Sequence, residues 1–326
     1  MFNLKKTHLN CSHLKHSLHF FYDEIRACCS NAKGPIFYLT PENENIDWNR
    51  VYEIRKKYIK EINSIFTKTS IPDVCKNCCE IKNCLTKEKI KPFKNVVNRI
   101  YIQNNMSCNA KCTYCTFGHV EKGYKYKVLP LIKELIEKKI LSPNALIYMS
   151  GGEITISPEF EELLSMLLNY LNSQIEILTS GIKYCKSIEE AFKQNKCRLV
   201  ISPDAGCKET YLKIKQVDCF DKVIENIKNY VKASDNAKST ITLKYIIVDN
   251  ANDNKEEIKK FLDLAKELEI QNVRLDFDYE KYKFSKNIKV PEYYFDLFDT
   301  FNNYANEKGL NVLMCDQIQA ILDKSH

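Results

Sequence analysis

Three cysteines lie close together at one place in the chain. Cys108, Cys112 and Cys115, here called the cysteine triplet, are separated by three and by two residues. Three thiolates on one loop can hold a four-iron cubane cluster and leave one iron open to a ligand from outside the protein. A closed zinc site needs a fourth ligand, and His119 is near enough in the sequence to supply it. The spacing alone therefore leaves an iron–sulfur cluster and a zinc ion both open.

Alternating strand and helix patterns from about residue 98 predict the elements that position this triplet. The predicted strands are Arg99–Gln103, Ala145–Met149, Ile175–Thr179, Arg198–Ser202, Thr240–Val248 and Asn272–Phe277. The predicted helices are Leu129–Lys138, Pro158–Leu171, Ile188–Gln194, Phe220–Val231, Asn254–Leu268 and Pro291–Lys308. Such alternation predicts a parallel sheet with right-handed crossovers. Six strands predict an α/β fold built as a partial barrel.

The glycines indicate one end of this sheet as a ligand site. The chain has only eight glycines, and five of them follow predicted strands: Gly118, Gly151, Gly152, Gly181 and Gly206. Glycine lets the backbone approach a ligand closely, and ligands of parallel α/β folds bind beyond the carboxyl ends of the strands. The sequence therefore predicts a ligand site at this edge of the sheet.

The cysteine triplet and the segment Gly151-Gly152-Glu153 together resemble the radical S-adenosylmethionine (SAM) superfamily. An aromatic residue, Tyr114, precedes the last cysteine, and the two glycines follow the second predicted strand. The resemblance covers about residues 98–279 and implies a partial (β/α)6 TIM-like barrel. It also implies that the triplet holds a 4Fe–4S cluster whose open iron is chelated by SAM.

The resemblance further implies how SAM is held and used. The backbone of Gly151, Gly152 and Glu153 would meet the SAM amino group, and the backbone of Tyr114 would meet the adenine. Three polar residues at the ends of later strands resemble the family's ribose and carboxylate contacts: Ser180, Ser202 and Asp204. Lys244, on the fifth strand, would pair with the SAM carboxylate. The first three also fit ordinary polar residues at strand ends, and Lys244 also fits a solvated side chain. Reductive cleavage of SAM would give a 5′-deoxyadenosyl radical, which would abstract a hydrogen atom from the substrate.

A second cysteine group precedes the predicted barrel. Cys75, Cys78 and Cys84, with Cys28 behind a predicted hairpin, resemble the SPASM and twitch auxiliary-cluster domains of radical SAM enzymes. Those domains usually follow the barrel, and their closing CxxxC pair is missing here. We expect one auxiliary 4Fe–4S cluster on these cysteines, with Cys29 as an alternative to Cys28. Structural zinc is the other possibility, since four thiolates suit zinc equally well.

The N-terminal region follows a different pattern from the predicted barrel. Leu18–Tyr22 and Ile25–Cys29 predict a hairpin, and Ile46–Phe66 predicts a helix. We therefore place an auxiliary iron–sulfur domain at residues 1–93, the barrel at residues 94–285 and a C-terminal helical segment at residues 286–326.

Three further residues are candidates for chemistry on the substrate. Asp276 and Asp278 end the sixth predicted strand, and one of them could face the substrate as a base because alternate strand residues point to opposite faces. Cys207 follows the fourth strand and could donate a hydrogen atom, as an epimerase requires. An inert loop thiol is the simpler interpretation of Cys207. The reaction class stays open among oxidation, epimerisation and bond formation.

Composition narrows the classes of function. Fifteen cysteines without an apolar leader segment indicate a reducing compartment, so we expect a cytoplasmic protein whose cysteines bind metal. No apolar run reaches the roughly 20 residues of a membrane span. The net charge is only +7, with six arginines among 49 basic residues, which argues against nucleic-acid binding.

Together these patterns predict a radical SAM iron–sulfur enzyme that acts on a peptide, a protein or a carbohydrate-derived substrate. Its partners would be SAM and an electron donor such as flavodoxin or ferredoxin. The competing hypothesis is a zinc-stabilised α/β binding protein without catalysis. That hypothesis accounts for the cysteines but not for the glycines at the strand ends.

Overall fold

Parallel strands alternate with helices through most of the chain that the computed structural model describes, which is residues 11–27, 46–63, 94–115, 123–278, 291–314 and 318. The chain divides into two units. The first unit takes its described residues from Met1–Asn105, Gly123–Gly151 and Asn169–Ser173. The second takes them from Met106–Lys122, Gly152–Leu168 and Gln174–His326.

The first unit is a small sheet with helices. Its elements are α1 (Ser12–His16), β1 (Ser17–Phe20), β2 (Ile25–Arg26), α2 (Trp48–Asn63), β3 (Val97–Ile102), α3 (Leu129–Glu137) and β4 (Leu141–Met149). Its strands are ordered β2-β1-β3-β4, and only the β1–β2 pair is antiparallel among the strands described here. The predicted hairpin is confirmed as β1 and β2, and the predicted helix is confirmed as α2.

The N-terminal region contributes a strand to the sheet in which the predicted barrel begins. Ser17 to Phe20 of β1 pair in parallel with Arg99 to Ile102 of β3. The sequence analysis did not predict this pairing, because parallel strands that are distant in the chain share no local sequence pattern. The predicted domain boundary at residue 93 stays a prediction. The auxiliary cysteines Cys28, Cys75, Cys78 and Cys84 lie outside the described residues.

The second unit carries the parallel strands that follow. Its elements are α4 (Phe160–Tyr170), β5 (Ile175–Thr179), α5 (Lys186–Lys193), β6 (Cys197–Ile201), α6 (Lys208–Lys215), α7 (Phe220–Ala233), α8 (Ala237–Thr240), β7 (Ile241–Ile247), α9 (Lys255–Glu267), β8 (Asn272–Phe277), α10 (Tyr293–Glu307) and β9 (Asn311–Met314). The described strands are all parallel, in the order β5-β6-β7-β8-β9. The α/β class with a mostly parallel sheet is therefore confirmed.

The six predicted strands of the barrel region are confirmed as β3 to β8, each to within about four residues. The structure adds α1, α6, α8 and β9, which the sequence analysis did not predict. Helix α9 buries Ile258, Phe261, Leu262 and Ala265, as its helical spacing predicts. Asn254 caps this helix by accepting a hydrogen bond from the Glu257 N–H. Among the described residues, no helix is long and apolar enough to span a membrane.

Candidate active site

The cysteine triplet lies on the loop after β3, in the second unit. Cys108 is exposed, and Cys112 and Cys115 are half-buried. The Ala110 N–H donates to the Cys108 sulfur at 3.4 Å, and the Cys115 N–H donates to the Cys112 carbonyl at 3.1 Å. Cys108, Cys112 and Cys115 are not in disulfides, and all three lie on one short loop.

Helix α6 holds this loop through its carboxyl end. The last carbonyls of a helix have no partner within the helix. Here the Ile214 carbonyl accepts from the Thr113 N–H and the Lys215 carbonyl accepts from the Lys111 N–H, both at 2.9 Å. Gln216 ends the helix in the left-handed conformation, with φ of 54°. The loop is thereby fixed at two points between its cysteines.

A buried group of polar side chains lies behind the loop, and we call it the Asp204 cluster: Asp204, Lys215 and Tyr114. The Tyr114 hydroxyl donates to Oδ2 of Asp204 at 2.5 Å, and the Lys215 ammonium forms an ion pair with the same carboxylate. Lys215 also donates to the Tyr114 hydroxyl at 2.9 Å. The side chains of Lys215 and Asp204 are only 3% and 0% exposed.

The backbone around Asp204 completes this cluster. The Ile246 N–H donates to Oδ1 of Asp204 at 2.9 Å, and the side-chain amide of Asn252 donates to the Asp204 carbonyl at 2.8 Å. Asp204 adopts a left-handed conformation, with φ of 56°. Few residues other than glycine adopt this conformation, and it is found most often in turns and functional sites. Asp204 therefore links β6, β7 and the cysteine loop.

Opposing effects act on the charges of this cluster. Burial by itself lowers the pKa of Lys215, but the Asp204 carboxylate and the Cys112 thiol outweigh it, so the pKa lies above its ordinary value. Burial raises the pKa of the Tyr114 hydroxyl, and Asp204 and Cys112 raise it further. Lys215 therefore remains a cation and Tyr114 a neutral donor at neutral pH.

Cys108 is a protonated thiol under the same conditions. Burial raises its pKa to about 11, and the nearby Glu153 carboxylate and the other two thiols of the triplet add to the effect. Metal binding replaces such protons, because the ligand is the thiolate. The mutual influence of the three sulfurs shows that they share one electrostatic environment.

The segment after β4 packs against the cysteine loop through Gly152. A Cβ atom on Gly152 would overlap the Ser107 carbonyl oxygen and lie 2.7 Å from the Met106 carbonyl carbon. The Glu153 N–H donates to the Ser107 carbonyl at 2.7 Å. Only glycine permits this approach. Gly151, in the first unit, has φ of +121°, a conformation that L side chains rarely adopt.

The Glu153 carboxylate is occupied by contacts within the protein. It accepts from the Thr155 N–H at 3.1 Å, the Thr155 hydroxyl at 2.6 Å, the Thr179 hydroxyl at 2.7 Å and the Ser180 N–H at 2.6 Å. Ser180 in turn contacts the cysteine loop, since its hydroxyl lies 3.0 Å from Oδ1 of Asn109. Glu153 therefore joins the segment after β4 to the end of β5.

Two of the remaining predicted SAM contacts lie on neighbouring strands. Ser202 is half-buried at the end of β6, and its N–H donates to the Thr179 carbonyl at 3.3 Å. Lys244 lies in the middle of β7, opposite Arg274 of β8. Burial lowers the pKa of Lys244, with Asp204 and Asp276 opposing the change and Arg274 adding to it. Lys244 is thus a half-buried side chain inside the sheet and not a solvated tip.

The three candidates for substrate chemistry all lie in the second unit, and their roles stay predictions. The Cys207 thiol contacts the Thr210 hydroxyl at 3.3 Å and the Glu257 carboxylate at 3.8 Å. Asp276 accepts from Arg274 at 3.2 Å. Asp278 follows β8.

An iron–sulfur cluster fits the surroundings of the triplet. Tyr211 on α6 carries a buried hydroxyl that has no partner within the described structure, and the thiols of Cys112 and Cys108 are among its electrostatic neighbours. Three thiolates on one short loop are the ligand set that a four-iron cluster with one open iron takes. The cluster would also bring the sulfur acceptors that the Tyr211 hydroxyl lacks.

Sequence reasoning missed Tyr211, Lys215 and Asn252. Lys215 and Tyr211 lie on a helix that the sequence analysis did not predict, and Asn252 lies in a loop. The spacing of four residues between Tyr211 and Lys215 is the one local signal that places them on the same helix face.

Comparison with known proteins agrees with this geometry. Residues 106–265, about half of the chain, match the family model described as the Radical SAM superfamily. The match supports placing this chain in the radical SAM superfamily. It covers the cysteine triplet, the Asp204 cluster and Lys244, but it ends before Arg274 and Asp276.

The curated relatives extend over part of the chain only. A probable GTP 3′,8-cyclase of Saccharolobus islandicus is 26% identical over 170 residues, which are 52% of this chain and 53% of that protein. The GTP 3′,8-cyclase of Helicobacter pylori is 25% identical over 198 residues, which are 58% of each protein. This chain therefore spans about half the length of the curated relatives it matches.

Solved structures show the same fold at low identity. Streptococcus suis SuiB has a TM-score of 0.53 and 17% identity, over 82% of this chain and 55% of that one. SuiB bound to S-adenosylmethionine has a TM-score of 0.52 and 18% identity, over 68% of this chain and 50% of that one. The radical SAM superfamily implies a 4Fe–4S cluster and SAM as cofactors.

Proposed function

We propose that this chain is a radical SAM enzyme whose 4Fe–4S cluster is held by Cys108, Cys112 and Cys115. The observation that carries the proposal is the fastening of a three-thiol loop to α6, with the glycine backbone after β4 packed against the same loop. The bound cluster and SAM would supply a 5′-deoxyadenosyl radical that abstracts a hydrogen atom from the substrate. The protein supplies the binding, the orientation and the exclusion of water.

The backbone of Gly151, Gly152 and Glu153 is proposed to bind the SAM amino group. The close approach of Gly152 to Ser107 supports this role, because it brings exposed backbone beside the cysteine loop. The Glu153 side chain already accepts four hydrogen bonds inside the protein. Its part is therefore to hold the segment in place while its backbone meets the ligand.

The adenine is proposed to lie at Tyr114. The Tyr114 ring packs against the apolar group formed by Ile214, Ile246 and Val248. An apolar surface beside exposed backbone suits a flat heterocycle. Asp204 serves this site by holding Tyr114 and Lys215, since its carboxylate is fully buried.

The polar ends of SAM are proposed to meet the neighbouring strands. Ser180 and Ser202 are half-buried at the ends of β5 and β6, where they can meet the ribose. Lys244 forms no ion pair within 4.0 Å among the described residues, so a carboxylate would complete its environment. We therefore keep Lys244 as the partner of the SAM carboxylate.

The substrate is proposed to be a peptide, a protein or a carbohydrate-derived molecule, with Asp276 or Asp278 as a base. Because some relatives are named GTP 3′,8-cyclase, GTP is a candidate substrate to be tested. One SuiB structure is bound to the precursor peptide SuiA, so a peptide is a second candidate substrate to be tested. Cys207 stays a candidate hydrogen donor, although its thiol now contacts Thr210 and Glu257.

An auxiliary 4Fe–4S cluster on Cys28, Cys75, Cys78 and Cys84 is part of the proposal. Iron and sulfide analysis tests it, because two clusters require about eight irons per chain. About two zinc ions and a colourless protein would instead support the zinc-stabilised binding protein.

The decisive experiment is SAM cleavage by the reconstituted protein. Wild-type protein is loaded anaerobically with iron and sulfide, reduced with dithionite and assayed for 5′-deoxyadenosine, alone and with GTP or a peptide. We expect product from wild type and none from Cys112→Ala. Cys197→Ala is the matched control, because Cys197 lies at the start of β6 and outside the triplet. A fully loaded wild type that yields no deoxyadenosine under any of these conditions would overturn the proposal.

A further inference from the structure

The hydroxyl of Tyr211 is buried where the protein offers it no hydrogen bond. The side chain is 1% exposed, and the hydroxyl has no partner within the described structure. The ring packs against Phe220, with ring centres 5.5 Å apart. Phenylalanine would fill the same space without burying an unpaired polar group, which costs stability. Folding alone therefore does not explain a tyrosine at this position.

The helix that carries this hydroxyl holds the cysteine loop, through the Ile214 and Lys215 carbonyls that accept from Thr113 and Lys111 at 2.9 Å. Cys219, Cys112 and Cys108 are among the groups that act on the Tyr211 hydroxyl electrostatically. Two of these three belong to the cysteine triplet. A neutral hydroxyl donates one hydrogen bond, and sulfur atoms carrying negative charge are acceptors for it. A donor without a partner thus lies behind the loop proposed to carry the cluster.

Lys215 lies four residues further along the same helix. Residues four apart in a helix share one face, so Tyr211 and Lys215 both point from α6 towards the loop. The Lys215 ammonium is paired with Asp204 and neighbours the Cys112 thiol. A buried ion pair contributes little to stability compared with apolar residues of similar volume. Helix α6 therefore places two groups that do not favour folding at the same site.

We propose that Tyr211 and Lys215 are positioning residues that tune the cluster of the cysteine triplet. Tyr211 donates a hydrogen bond to a sulfur of the cluster or of its thiolates, and Lys215 keeps a positive charge beside Cys112. Hydrogen bonds to the sulfurs and nearby positive charge both favour the reduced, more negative cluster and raise its reduction potential. This inference rests on the proposed function, since it requires the cluster to bind at the triplet.

The test compares Tyr211→Phe with wild type in two states. In the metal-free protein the variant should melt at the same temperature or higher, because it removes an unpaired buried hydroxyl. In the loaded protein without SAM, a dithionite titration followed by electron paramagnetic resonance should show a lower reduction potential. The expected fall is on the order of 59 mV, which is a tenfold change in a one-electron equilibrium.

Tyr230→Phe is the matched control. Tyr230 is equally buried, but its hydroxyl accepts a hydrogen bond from the Cys185 N–H at 2.9 Å. We expect this control to lower the melting temperature of the metal-free protein and to leave the potential unchanged. If Tyr211 had a purely structural role, Tyr211→Phe would also lower the melting temperature of the metal-free protein and leave the reduction potential unchanged.

Lys215 is tested by keeping or removing its charge. Lys215→Arg should keep the wild-type potential, and Lys215→Met should lower it. The paired variant Lys215→Met with Asp204→Asn removes one charge of each sign, so its potential should lie closer to wild type. If wild type loads its cluster but Tyr211→Phe leaves the potential within error of wild type, the inference is wrong and the proposed function stands. If wild type binds no cluster at the triplet, the proposed function itself fails.

Discussion

Replacing Asp204 by asparagine should destabilise the second unit strongly. The Asp204 carboxylate accepts from Lys215 and Tyr114 at Oδ2 and from the Ile246 N–H at Oδ1. Asparagine keeps one acceptor oxygen and no charge, so the Lys215 ammonium is left buried without its counter-ion. The shape of the side chain is nearly unchanged, so the loss reports charge and hydrogen bonding rather than packing.

The expected magnitude follows from the burial of the pair. Removing one partner of a buried ion pair costs about 3–5 kcal/mol, because the remaining charge stays desolvated. The exposed pair formed by Lys255 and Asp296 gives the comparison, since its side chains are 53% and 63% exposed. Breaking an exposed pair costs about 0–1 kcal/mol. Asp296→Asn is therefore the same chemical change in a solvated setting.

Urea unfolding of the metal-free protein measures both variants. We expect Asp204→Asn to lower the free energy of unfolding by about 3–5 kcal/mol and Asp296→Asn by less than about 1 kcal/mol. The paired variant with Lys215→Met should recover part of the loss, because it removes the unpaired charge as well. A loss below about 1 kcal/mol for Asp204→Asn would refute the reasoning, since the carboxylate would then contribute no more than a surface charge.

Two further predictions test other parts of the structure. Gly152→Ala should destabilise the protein by about 1–3 kcal/mol and weaken SAM binding measured by calorimetry, because the added Cβ would overlap the Ser107 carbonyl oxygen. Gly123→Ala is the control and should have neither effect, because no described atom lies within 4 Å of the added Cβ. For His19, burial lowers the folded-state pKa to about 3, so the unfolded chain binds the proton more readily between pH 6.5 and 3 and stability falls as the pH falls through this window. His19 should contribute about 1.4 kcal/mol per pH unit to the loss measured in urea titrations, so His19→Phe should show a shallower decline, and an unchanged acid limb in that variant would contradict the assignment.

Local patterns predicted most of the second unit. Strands β5 and β8 begin and end at the predicted residues, because alternating buried and outward residues mark them clearly. Helix α6 was missed, since its apolar residues are interrupted by Lys213 and Lys215 and the latter is buried through an ion pair. Lysine is mostly found at the surface, so a sequence pattern does not identify a lysine that is buried through an ion pair.

Contacts between distant segments could not be predicted. The parallel pairing of β1 with β3 joins segments about 80 residues apart, and parallel pairing has no turn signature of its own. Glu153 was expected at the ligand, and its backbone role stays a proposal. Its carboxylate, however, is occupied by Thr155, Thr179 and Ser180, which only the folded chain brings together.

The sequence by itself determined the chemistry that this chain can carry. Cys108, Cys112 and Cys115 are close in the chain, so covalent spacing alone brings their thiols together, and the glycines after β4 leave room for backbone at the same edge. The tertiary structure decided what surrounds them. Asp204 and Lys215 meet the cysteine loop through hydrogen bonds across about 90 to 100 residues of chain, and Tyr211 is buried on the same helix as Lys215. What a buried charge does depends on the partner that folding places beside it.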